Sequence, residues 1–210
     1  MTSIAYKLFW DTSHLRSERL DAELDRFKGW DHCVSWHSTG DAEIPSEIRF
    51  EADFSITRKS DYPSNDVVWP LMSPAMIAVL KSVGDFPHRT IPVRFLDRSV
   101  RKADRSLPDG TLRPEVVDDR FAAVQLLEHI DVVDWERSEF RRSRMDPETV
   151  SRFTRLELAE PPGGFPPLFR IPAKTSMLLV SVAAREALEA AGLRGMVFKE
   201  LPSGRRFAHD

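Results

Sequence analysis

His32, Cys33 and His37 lie within six residues and form the tightest group of potential metal ligands in the chain. Zinc, however, takes four ligands, usually in paired spacings, and no second pair such as C-x-x-C follows. The flanking Trp30 and Trp36 suit a packed turn or strand, so the group falls short of a metal signature. For Cys33 to act as a nucleophile, a positioned histidine would have to lower its pKa. His32 adjoins it and on a strand would point to the opposite face. His14, His88 and His129 could approach only through the fold. An inert buried thiol is the simpler reading. Asp131, Asp134 and Glu136 surround Trp135. Paired carboxylates can perform acid–base chemistry or hold a cation, which keeps a carboxylate-based enzyme as one alternative function, beside a structural or interaction module. Charged residues normally stay in solvent, so the favoured reading is a solvated strand end, or an edge that meets a basic partner. Gly163-Gly164 lacks the G-x-G-x-x-G and G-x-x-x-x-G-K-S/T spacings, and its flanking prolines remove amide donors that a phosphate cradle needs. There is no G-x-S-x-G. No catalytic residue, metal or cofactor is assigned.

The charges are unevenly placed. Between Asp41 and Asp66 seven acids face three basic residues, whereas Arg137 to Arg155 holds six arginines against three acids. Such a two-faced distribution can speed association with another protein. The net charge of −3 argues against nucleic acid as the partner. The tryptophans Trp10, Trp30, Trp36, Trp69 and Trp135 are candidate anchors, because interface hot spots favour Trp, Tyr and Arg, although most tryptophans serve cores. One cysteine precludes an intramolecular disulfide and suits a reducing compartment. The opening MTSIAYKLFWDTS lacks the apolar core of a signal peptide, and no run approaches a membrane span. A cytoplasmic location is expected.

The clearest local structure is the tail, Leu168 to Leu201. Met177 to Val180 reads as a strand, Ser181 as an N-cap, Val182 to Ala191 as a helix with Ala184, Ala187, Leu188 and Ala191 on one stripe, and Gly192 as its left-handed stop. Met196 to Phe198 returns as a strand. The same grammar occurs at Val68 to Leu96: Ser73 caps, Pro74 occupies the first helical position, Met76, Ile77, Val79, Leu80 and Val83 supply the apolar face, and Gly84 matches Gly192. Thr90 to Phe95 alternates as a half-buried strand. Elsewhere, strands are predicted at Ala5 to Trp10, Val34 to Trp36, Ile48 to Ile56, Ile130 to Trp135 and Phe153 to Leu158. An amphipathic helix is predicted over Ser13 to Phe27, on Leu20, Leu24 and Phe27. Phe121 to Glu128 fits helix or strand. Arg98 to Arg120 should be an exposed connection, Asp146-Pro147-Glu148 a helix start, and Pro161 to Pro167 an irregular separator. The pattern implies a single α+β domain over 1–210, mainly antiparallel sheet with a few packed helices.

In this order the motifs carry a resemblance. FAAVQLLEHIDVVDWERSEF at Phe121 to Phe140, LFRI at Leu168 to Ile171, and the capped REALEAAGLRG helix of the tail with the strand ending at Phe198 resemble the immunity family numbered eleven of bacterial polymorphic toxin systems. That family is similar in its Asp-x-x-Asp acidic turn with a nearby serine, here Asp131, Asp134 and Ser138. The resemblance covers roughly Val68 to Leu201, making 67–201 the family-like core and 1–66 a variable region. It implies a protein that binds and neutralises a cognate toxin domain, and carries over no catalytic residues. Asp131, Asp134, Trp135 and Glu136 are the partner-binding residues expected on this basis, with no nucleic acid and no membrane as partner.

Overall fold

A computed structural model describes residues 4–13, 20–25, 39 and 47–201. The elements, in chain order, are β1 (Ala5–Trp10), β2 (Ala22–Leu24), β3 (Ile48–Ala52), α1 (Phe54–Thr57), β4 (Leu71–Met72), α2 (Pro74–Val83), β5 (His88–Asp97), β6 (Val117–Asp118), β7 (Ala122–Leu126), β8 (Glu139–Arg142), β9 (Val150–Arg155), β10 (Leu168–Ile171), β11 (Lys174–Ser181), α3 (Val182–Ala190) and β12 (Met196–Glu200). Among the described residues the strands form three sheets, in the orders β10-β11-β1-β12, β2-β3-β5-β7-β4 with β6 also on β5, and β8-β9. Among the strands of the described residues, only β3 and β5 form a parallel ladder. The fold is α+β, and no described helix is long and apolar enough to cross a membrane.

Both strand–capped helix–strand units are present, and they share more than local grammar. In the first, β4 and β5 each pair antiparallel with β7 and so run parallel to each other on either side of it. In the second, β11 and β12 stand in the same relation to β1. Each unit is therefore a strand–helix–strand crossover with one strand inserted between its parallel strands. Ser73 Oγ accepts from the Met76 amide at 3.1 Å, and Ser181 Oγ from the Ala184 amide at 3.2 Å, satisfying donors that the helix leaves free. Met76 and Leu80 of α2 and Ala184 and Leu188 of α3 meet in one core with Tyr6, Leu8, Met72, Val124, Leu126, Leu178 and Val180. Ala191, placed on the stripe by its spacing, is exposed. Asp61 links the units: its carboxylate accepts from Ser73 Oγ at 2.7 Å and from the Arg194 amide at 2.9 Å. A second core, with Phe50, Trp69, Phe95 and Phe121, lies on the long sheet, and a third joins Phe153, Phe169, Ile171 and Leu179 under the β8–β9 hairpin.

Several sequence expectations change. Gly192 is left-handed (φ 65°), but Gly84 is extended (φ 167°), so the two glycines end their helices differently. Ala22–Leu24, placed in a helix by the spacing of Leu20 and Leu24, is a strand instead, because β3 offers an edge on which Ala22 pairs with Ala52 and Leu24 with Phe50. The rest of that predicted helix and the Val34 to Trp36 strand lie wholly or partly outside the described residues. The strand from Ile48 stops at Ala52, where Asp53 Oδ1 accepts from the Ser55 amide at 3.0 Å and starts α1. Ile130 to Trp135, expected as a buried strand, is irregular: only Val132 and Val133 are buried, and Val133 bridges to Leu158. Asp146-Pro147-Glu148 starts no helix; it is the turn of the β8–β9 hairpin, with the Thr149 amide donating to the Asp146 carbonyl at 3.1 Å. Phe121 to Glu128 resolves as a strand, and β9 ends at Arg155, before Leu158. The Arg98 to Arg120 connection is anchored inside by Val116 and by Arg105, which is 6% exposed and reaches Glu51 at 3.1 Å.

Candidate functional site

The acidic turn is built as the spacing suggests, but its carboxylates do not converge. The Asp134 amide donates to the Glu157 carbonyl at 3.0 Å, and the Ser138 amide to the Asp134 carbonyl at 2.9 Å. Asp134 Oδ1 accepts from the Arg137 amide at 3.1 Å, so this side chain shapes the turn. Ser138 is 8% exposed and bridges to the neighbouring segment, its Oγ accepting from the Glu157 amide at 3.0 Å. Asp131 and Glu136 are exposed. No group of three or more His, Cys, Asp or Glu among the described residues could hold a metal. His32, Cys33 and His37 lie outside the described residues.

Trp135 is a packed foot for the hairpin. Its ring meets Phe140 edge-on at 4.9 Å and lies 6.4 Å from Phe153. The Arg142 guanidinium covers it at 4.9 Å and Phe140 at 5.1 Å, the stacked arrangement that arginine favours on aromatic faces. All four β8 residues, Phe140 and Arg142 of the stack included, are exposed, and Met145 near the turn is 97% exposed. Arg137 and Arg155 have acidic partners at 3.7 and 3.4 Å in Asp134 and Glu139. Arg141 and Arg144 have none among the described residues. Of the other candidate anchors, Trp69 is fully buried and Trp10 half-buried; Trp30 and Trp36 lie outside the described residues.

A second feature of the molecule has no counterpart in the motif analysis. The β1–β11 ladder runs over Ala5/Ser181, Tyr6/Val180 and Lys7/Leu179, and no pair beyond Lys7/Leu179 belongs to it. Beyond that point Leu8, Phe9 and Trp10 face Ser176, Met177 and Leu178 across a cavity of about 240 Å³. Lys7, Tyr62, Val68, Arg170 and Lys174 complete its lining, which contains no acid among the described residues. Between Phe169/Leu179 and Ile171/Lys174 the register shifts, so β11 bulges where Arg170 lies beside it. Arg170 is 3% exposed, and its Nη1 donates to the Thr175 carbonyl. Burial lowers its pKa to about 10 and pushes the Tyr62 hydroxyl well above its ordinary value. Lys7 is held below the usual lysine range, first by burial and then by Lys174 and Lys199. His129 is likewise lowered, by burial first and then by Arg170.

No protein-family model matches the chain, and no curated protein matches it. The cavity was missed because its residues are scattered through the chain. One signal was available: Arg170 interrupts an apolar strand, between Phe169 and Ile171, where a charge is costly to bury.

Proposed function

We propose that this chain is an immunity protein that binds one cognate toxin domain and neutralises it by stoichiometric occlusion, docking through the β8–β9 hairpin. The ordered motif resemblance motivates the reading. The observation that carries the docking surface is the exposed hairpin: solvent-exposed β8, two arginines, Arg141 and Arg144, without an acidic partner among the described residues, and a fully presented Met145. Arginine, methionine and aromatic residues are enriched at protein interfaces, and the partner that fits is an acidic face of the toxin domain. Exposed arginines would steer the encounter electrostatically. Asp131 and Glu136, at the foot of the hairpin, remain available to it, while Asp134 holds the turn and Trp135 supports Arg142.

Co-expression with the toxin-like product of the neighbouring gene should restore growth and give a one-to-one complex on gel filtration. Neither rescue nor complex would sink the reading. In the complex, the double reversal Arg141→Glu with Arg144→Glu should weaken binding by about tenfold or more, since interface arginines often cost over ~1 kcal/mol when removed. An unchanged affinity would move the docking surface elsewhere.

A further inference from the structure

The cavity between β1 and β11 gathers groups that a folded protein normally neutralises. An arginine presents five N–H donors, and Arg170 donates to the Thr175 carbonyl with no acidic partner among the described residues. Trp10, which also lines the cavity, has a buried Nε1 donor without a partner among the described residues. The Lys174 ammonium reaches the Val150 and Ser151 carbonyls at 3.3 and 2.6 Å, which leaves its charge uncancelled. Lys7 stands opposite Lys199 in the ladder, and Lys199 lies 4.8 Å over the Phe9 ring. None of these four cations has an acidic partner among the described residues. Arg170 is the buried member of the group, Lys7 and Lys174 are half-buried and Lys199 is exposed; an unpaired charge buried as deeply as Arg170 is expensive, and an anion in the cavity would offset that cost. Val68, at the rim, is held at φ 57°, a backbone conformation that a β-branched residue rarely adopts. Strain of this kind concentrates around ligand sites.

We propose that this cavity binds a small organic anion, a carboxylate or phosphate ester carried on an apolar or aromatic body. The guanidinium fork of Arg170 matches an oxyanion in two parallel bonds; Lys7 and Lys174 supply charge, and Trp10 Nε1 a further donor. Leu8, Phe9, Met177 and Leu178 form walls that a bare inorganic ion would leave uncovered. The volume suits a ring with a charged substituent, since a dry cavity of ~150 Å³ already takes benzene. This inference stands apart from the toxin-binding reading and survives its failure.

The test uses the full chain with four probes: benzoate, phenyl phosphate, benzamide and inorganic phosphate, followed by calorimetric titration and thermal melting. At least one of the two organic anions should bind and raise Tm, about tenfold or more tighter than neutral benzamide and than inorganic phosphate. The better of the two anions tells carboxylate from phosphate ester. Lys7→Gln should weaken that binding about tenfold, and Arg170→Met should abolish it. Lys7→Gln retains the test should Arg170→Met fail to fold. Benzamide binding as well as both anions, inorganic phosphate binding as well as phenyl phosphate, or anion binding unaltered in Lys7→Gln would each overturn the proposal.

Discussion

In the first strand–helix–strand unit the inserted strand is closed on both sides: β7 pairs with both residues of β4 and with His88 to Pro92 of β5. In the second, the inserted β1 stays with β12 from Tyr6 to Trp10 but leaves β11 after three pairs. The units have equivalent caps, parallel outer strands and helices in one core, and they diverge at this seam. Where β7 is closed, Leu71, Ala123, Val124 and Ile91 bury apolar side chains. Where β1 opens, Lys7, Arg170 and Lys174 line a cavity. The opening is therefore no requirement of the scaffold, because the same plan closes without one elsewhere in the molecule.

The comparison breaks if the units do not fold together. Leu80→Ala in α2 and Leu188→Ala in α3 each empty the shared core and should cost about 2–5 kcal/mol. Urea unfolding followed by fluorescence and by circular dichroism should remain a single coincident transition in both; separate transitions would mean independent units. Gly195 comes next. At φ 89°, a Cβ there would lie 2.0 Å from Ser60 Oγ, so Gly195→Ala should destabilise by about 1–3 kcal/mol, measured as a lower urea midpoint. The caps differ more finely. Ser73→Ala should cost about 1 kcal/mol or more and exceed Ser181→Ala, because Ser73 also donates to Asp61. Equal losses would remove Asp61 as the link between units. The glycines give the smallest contrast. Gly192→Ala forces an alanine into the left-handed region at about 1 kcal/mol. Gly84→Ala, extended and with its nearest new neighbour at 3.5 Å, should be neutral or slightly stabilising.

The open seam also has a pH signature. Lys7 titrates lower in the folded chain than in the unfolded one, so the unfolded state holds more protons across the window between those two pKa values. Stability should therefore rise with pH through that window, below the ordinary lysine value. In Lys7→Met this contribution should vanish, and the variant should be at least as stable as the parent at neutral pH. A bound anion would favour charged Lys7 and reverse the slope.

Local physics was readable wherever a short stretch decides its own structure. Ser73 with Pro74, and Ser181 with its alanine-rich run, start helices through hydrogen bonds three residues away, and Ile91, Val93 and Phe95 show their face by alternation. The acidic turn was legible for the same reason, since Asp134 bonds an amide three residues on. Legibility failed where a strand depends on a distant edge. Leu20 and Leu24 fit a helix until β3 offers Ala22 and Leu24 a ladder. Asp146-Pro147-Glu148 fits a helix start until β8 and β9 pair around it.

From its own residues the chain determines two capped helices, their flanking strands, an arginine-rich segment and an acidic turn, because each rests on contacts within a few positions. Tertiary structure alone decides that the two units share one plan, that Trp135 supports a hairpin, and that Lys7, Arg170 and Lys174 meet with Trp10 around one cavity. Sheet pairing and burial join residues from opposite ends of the chain, and no local pattern records which ladder stops short.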